Sequence, residues 1–257
     1  MLCQKEWMDL YRNRRVLWIT VSLPAVLLLM GVAGMWGVQH LPEAELMDDP
    51  PPVVGITRFA GLEVRERVQA AVALQFLLLF LLVPMLIPIS TAAYSVVGEK
   101  RDRSLEPLLV TPLHTGEILV GKAVAALAPG MAVTLLAYGI YAALTSLWVA
   151  GPRVYQYVLG PVPAVLLLLI GPLLGLMGVG VALIVSSRSS DPRAAEQTSS
   201  LLVLPLMGVF VAQILGLVQL SLALLLGVGL LLAVLDLVLF RVAARLFQRG
   251  EILSRWG

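Results

Sequence analysis

Two apolar runs, Val72 to Val97 and Ala123 to Val149, are each long enough to cross a bilayer, for which about 20 apolar residues suffice. Between them lies a charged island, Gly98-Glu99-Lys100-Arg101-Asp102-Arg103-Ser104-Leu105-Glu106-Pro107-Leu108-Leu109-Val110-Thr111-Pro112. A charged hairpin between two spans must sit in water on one face of the membrane. Lys100, Arg101 and Arg103, with Lys122 just beyond, predict the cytoplasmic face. The island is the expected surface through which a cytoplasmic partner moves the membrane part.

The rest of the chain has the same character. Its residues are 59% hydrophobic and only 13% charged, against about 25% charged in ordinary soluble domains. That much apolar surface cannot be hidden in one soluble core of 257 residues. The expected fold is an all-α integral membrane protein with one transmembrane domain over 1–257. Six spans are expected, at about 16–38, 70–97, 123–149, 158–187, 200–217 and 220–240, with 98–122 as the cytoplasmic coupling region. The first run lacks a small-residue cleavage site and is expected to stay as an anchor. Cys3 is the only cysteine, so neither a disulfide framework nor a thiolate metal site is expected.

Charge placement predicts the orientation. Residues 1–15 form an expected interfacial helix, with Cys3, Trp7, Leu10 and Tyr11 on one stripe and Lys5, Glu6, Asp9, Arg12 and Asn13 opposite. The inside segments hold Lys5, Arg12, Arg14 and Arg15; Lys100, Arg101, Arg103 and Lys122; Arg188 and Arg193; and Arg241, Arg245, Arg249 and Arg255. The outside segments hold Arg58, Arg65, Arg67 and Arg153. This asymmetry supports six spans with both termini in the cytoplasm.

Trp18 and Trp36 mark the two ends of span 1, and Pro24 falls within it. In the outside segment that follows, Pro50-Pro51-Pro52 predicts an extended piece. Gly61 to Gln69 predicts a short charged helix running into span 2. Span 2 carries Pro84 and Pro88, then Ser90, Thr91, Tyr94 and Ser95 toward the inside. These hydroxyls can re-satisfy carbonyls freed by the prolines, or Ser90, Thr91 and Tyr94 can line a passage. Within the island, Ser104 is a candidate helix cap, with Leu105, Leu108 and Leu109 on one face. In span 4, Gly171-Pro172 predicts a kink, and Gly171, Gly175 and Gly178 give a small-residue face for close helix approach. Arg188 to Thr198 is expected to be an inside loop, and Gln219 with Ser221 marks a tight outside hairpin.

Few residues suggest chemistry. Gly116 to Lys122 fits G-x-x-x-x-G-K, but Ala123 follows where a phosphate loop needs Ser or Thr, and bulky helix formers lie between. No nucleotide site is expected. His40 and His114 fall on opposite sides of the membrane and cannot share a metal. Asp236 is the carboxylate well inside a span, a placement that costs about 2.5–3.5 kcal/mol on insertion scales. An ion pair or hydrogen bond near Arg241 is one reading, and a place on the transport pathway is the other. Gln75 and Gln213 are expected to link helices.

Glu99 to Pro112, followed by Glu117-Ile118-Leu119-Val120-Gly121-Lys122, resembles the signature of type 2 ABC exporter permeases, "E-K-E-x-x-T/S-L-E-x-L-L-x-T-P" and then "E-I-L-x-G-K". Lys5-Glu6 with Arg12-Asn13-Arg14-Arg15, Pro192 to Gln197, and Glu251 to Trp256 are similar to other parts of that family. The resemblance implies a six-helix half-transporter in a bacterial or archaeal cytoplasmic (inner) membrane. It implies pairing with a second permease copy or a paralogue, and binding of cytoplasmic ABC ATPase subunits. Those subunits would hold the ATP and Mg, leaving this chain with no cofactor, no catalytic or metal site and no nucleic-acid partner. The coupling residues it implies are Glu99, Arg101, Asp102, Arg103, Leu105, Glu106, Leu108 and Leu109. Ser90, Thr91, Tyr94 and Asp236 are the candidate transport pathway. The hairpin between spans 5 and 6 leaves little room for the short re-entrant helices that many relatives carry there. The alternative to this reading is a secondary transporter or channel that needs no ATPase.

Overall fold

The computed structural model describes residues 14–48, 59, 61–101 and 115–246. Residues 1–13, which hold most of the expected interfacial helix, lie outside them, as do Pro50-Pro51-Pro52 and the island from Asp102 to His114. The described secondary structure is helical throughout, and six of its segments are long and apolar enough to cross a membrane. The all-α membrane fold is thus borne out.

Span 1 is α1 (Arg14–His40). After it, α2 (Glu43–Asp48) lies at the end that the charge rule puts outside, here called the outer end. Span 2 is made of α3 (Val64–Phe80) and α4 (Leu82–Arg101). Span 3 is α5 (Thr115–Thr145). Span 4 is assembled from α6 (Tyr155–Leu159), α7 (Pro161–Val165), a π-helical turn (Leu166–Ile170) and α8 (Gly171–Arg188). Span 5 is α9 (Pro192–Ser200) with α10 (Val203–Ile214), and span 6 is α11 (Leu222–Leu246).

Local chemistry sets these limits. The Glu63 N–H donates to Glu66 Oε2 at 3.2 Å, so two acids open α3 where the helix dipole favours them. Asp191 Oδ1 accepts from the Arg193 N–H at 3.3 Å, and Pro192 occupies the first turn of α9. The segment expected as a loop, Arg188 to Thr198, is therefore mostly helix. Gly216, at φ 72°, ends α10 in the left-handed region. Ser221 Oγ accepts from the Leu224 N–H at 3.2 Å and caps α11, so the span 5–6 hairpin is as tight as expected.

Span 2 is the centre of the bundle. Buried residues make up 72% of its most apolar window, against 17% for span 5 and 22% for span 6, whose leucines and valines face outward. In lipid, apolar residues gain little from leaving one apolar medium for another, so close backbone packing has to hold helices together. Span 4 supplies that packing through its glycines. A Cβ on Gly175 would lie 2.5 Å from Pro84 O, and one on Gly178 would lie 2.8 Å from Ile89 Cγ1. A Cβ on Gly180 would instead lie 3.1 Å from Leu239 Cβ. Residues 178 and 180 are about 200° apart around a helix. Spans 2 and 6 therefore pack on opposite faces of span 4. The small-residue face is filled by span 2, with Leu127 of span 3, of the same chain.

Pro84 and Pro172 each remove a helical N–H and push on the carbonyl four residues back. Span 2 answers with a tight turn at Leu81, whose N–H bonds Leu78 O at 3.2 Å. Span 4 answers by widening, and the Gly171 N–H bonds Leu166 O, five residues back. The expected kink at Gly171-Pro172 thus takes the form of a π turn just before it. The Thr91 hydroxyl does not take over a carbonyl freed by the prolines. Thr91 Oγ1 donates at 2.9 Å to Ile87 O, one turn back, rather than to Phe80 or Pro84.

Candidate functional site

The island leaves the bundle along span 2. α4 runs unbroken from Leu82 through Glu99 to Arg101, and the chain re-enters as α5 at Thr115. Asp102, Arg103, Leu105, Glu106, Leu108 and Leu109 lie outside the described residues. The helix feeding the island is well held. Lys122 Nζ donates to Ser95 Oγ at 2.8 Å, joining spans 2 and 3 at their inner ends. Ala93 and Val97 pack with Ala195 of α9 and Val185 of α8. A load on the island is therefore a load on the inner half of span 2 and on what packs against it. Lys122 also ends the phosphate-loop lookalike, whose residues 116–122 are continuous helix. From Leu119 onward their amides bond within the helix, and a continuous helix is not the glycine-rich turn that cradles a phosphate.

The candidate pathway residues do not converge within one chain. On span 2, Thr91 is buried, Ser90 half-buried and Tyr94 exposed. Asp236 is on span 6, on the face with Leu225, Gly229 and Leu232, which packs against span 4. Span 4 stands between the two groups. Asp236 is 6% exposed, and among the described residues neither carboxylate oxygen has a hydrogen-bond partner. The expected bond or ion pair with Arg241 is not made. Five residues turn a helix by about 140°, so Arg241 is exposed while Asp236 faces inward. Gln75 Nε2 and Gln213 Oε1 also lack partners among the described residues, so these atoms do not make the expected helix links.

Among the described residues, the most connected polar network is at the outer end. Gln69 is 0% exposed. Its Nε2 donates to Gln39 Oε1 at 3.2 Å and Trp148 O at 2.8 Å, and its Oε1 accepts from the Ala150 N–H at 2.8 Å. One side chain thus joins spans 1 and 2 to the turn after span 3. Arg65 donates to Val38 O and Leu41 O, both at 2.9 Å, and to Gln39 O, covering carbonyls at the end of span 1. The signal in the sequence is an amide at the mouth of an apolar run.

No curated protein matches the chain. Residues 1–228 match the family model described as ABC-2 family transporter protein. With six membrane-length helices and a match over most of its length, the chain belongs to the ABC-2 family, the membrane permeases of ABC transporters.

Proposed function

We propose that the chain is the membrane half of an ATP-driven exporter, with both termini in the cytoplasm of a bacterial or archaeal cell. It works as a pair, with a second copy or a paralogue, and a separate ATPase subunit holds ATP and Mg. Glu99, Arg101, Asp102, Arg103 and Glu106 give the island a mixed-sign surface suited to fixing the register of a polar partner. Leu105, Leu108 and Leu109 add an apolar face for docking. Hydrolysis in the partner loads the island, and α4 carries that load into the bundle. The observation that carries this reading is the ABC-2 match over residues 1–228.

Ser90, Thr91, Tyr94 and Asp236 remain the proposed polar lining of the pathway. Because span 4 separates Asp236 from the others, one continuous lining requires a second permease. Asp236, buried and without a partner among the described residues, also favours a second reading, an ATPase-independent transporter or channel. Affinity purification from native membranes separates the two. Reproducible recovery of an ABC ATPase with the chain is expected, and its reproducible absence would favour the second reading.

A further inference from the structure

The interruptions in spans 2 and 4 face one another in the middle of the bundle. A Cβ on Gly171, which closes the π turn, would lie 3.7 Å from Pro84 Cγ and 3.8 Å from Leu81 Cδ2. Leu81, Leu166 and Ile170 are all buried, so the breaks are sheltered by protein rather than lipid. Residue 88 is also proline, so the N–H that would close the helical bond to Pro84 O is missing. That carbonyl lies against Gly175 instead. Span 3 has Pro129 beside this layer, with Gly130 against Pro88.

The two sides of the layer are fastened differently. On the outer side, Gln69 and Arg65 join spans 1 and 2 and the turn after span 3. Tyr138 Oη donates to Val158 O at 2.7 Å, joining spans 3 and 4. Phe80, the last residue before the break, packs on Tyr138 and Tyr141 with ring centroids 5.4 and 5.7 Å apart. On the inner side, the Lys122–Ser95 bond and the Ala93, Val97 and Ala195 cluster bind α4 to α5 and α9.

We propose that Leu81 and the π turn Leu166–Ile170 form a single hinge across the bundle. The inner halves of spans 2 and 4 swing about it together while the outer ends stay fastened. Helices broken at one level and packed glycine to carbonyl can bend there without opening a cavity. In the transport reading, this hinge turns a load on the island into movement of the inner half alone. Its purpose rests on that reading, but the bending does not.

The test uses the full chain with Cys3→Ser, in nanodiscs, with paired spin labels and pulsed distance measurements. Labels at Trp36 and Tyr94 span the hinge, and labels at Trp36 and Leu159 stay on its outer side. All three positions are exposed. The Trp36–Tyr94 distance distribution is expected to be the broader one. Pro172→Ala, on span 4, should narrow it toward the control width although the label is on span 2. If Pro172→Ala fails to insert, Pro84→Ala with labels at Trp36 and Arg188 tests the same coupling from the other side. Equal widths for the two wild-type pairs, or a proline variant that changes only its own span, overturn the shared hinge. ATPase recovery from native membranes is a separate measurement, so this outcome would leave the transport reading standing.

Discussion

Replacing Gln69 by Leu keeps nearly the same volume and deletes three hydrogen bonds, those to Gln39 Oε1, Trp148 O and the Ala150 N–H. Side-chain bonds between membrane helices average about 0.6 kcal/mol each, so the lost bonds cost about 2 kcal/mol. Two of the abandoned partners are backbone groups that the fold only partly buries, so leaving them unpaired adds up to about 3 kcal/mol. A total of about 2–5 kcal/mol lowers the melting midpoint of a chain this size by roughly 4–20 °C. Thermal unfolding in mild detergent, followed by size-exclusion recovery, reads this directly. Gln75→Leu is the internal control. Gln75 Nε2 has no partner among the described residues to lose, so its melting point should hold or rise. A Gln69→Leu variant within about 2 °C of wild type, on the scale of that conversion, would refute the network's role. So would an equal fall in Gln75→Leu.

Gly175→Val should destabilise by about 1–3 kcal/mol or more, because its Cβ would lie 2.5 Å from Pro84 O, a backbone atom with no room to yield; Gly37→Ala, with open space around it, should be neutral or better in the same melt. Asp236→Leu should raise the melting point, since it removes a buried carboxylate without a partner among the described residues, and a fall would reveal a bond that the helix faces do not provide. If Asp236 lines the pathway, the same variant loses transport while staying folded, as measured by uptake or efflux in vesicles. On a Cys3→Ser background, Arg153→Cys should react with an impermeant thiol reagent added outside and Asp191→Cys should not; the reverse pattern would invert the orientation.

The membrane fold was legible because it rests on run length and on the placement of basic residues, both local properties. Specific packing was less legible. Gly171, Gly175 and Gly178 announced a close helix contact, but nothing in the spacing said that span 2 of the same chain makes it. The helix Pro192–Ser200 was hidden by its polar residues, although Asp191-Pro192 is a start signal. Asp236 and Arg241 are neighbours in sequence, but helix geometry turns them apart. In the sequence Gln69 is only the end of a charged helix, because its partners are Gln39, 30 residues away, and Trp148 and Ala150, 79 and 81 away. At the candidate site, the island was legible as a motif, while the Lys122–Ser95 bond that braces its base needed the fold.

The central claim is that a separate ATPase grips this chain through the island, and one paired measurement tests it. Wild type and Glu106→Arg are expressed in the native host, checked for equal membrane insertion, and purified under the same conditions. The amount of ABC ATPase recovered per permease is then quantified. If Glu106 is a buried partner at this docking surface, reversing its charge should cost about 2–5 kcal/mol of association, enough to remove most of the ATPase from the variant. Equal ATPase recovery with both, from correctly inserted protein, would contradict the account and leave the island as a solvated loop.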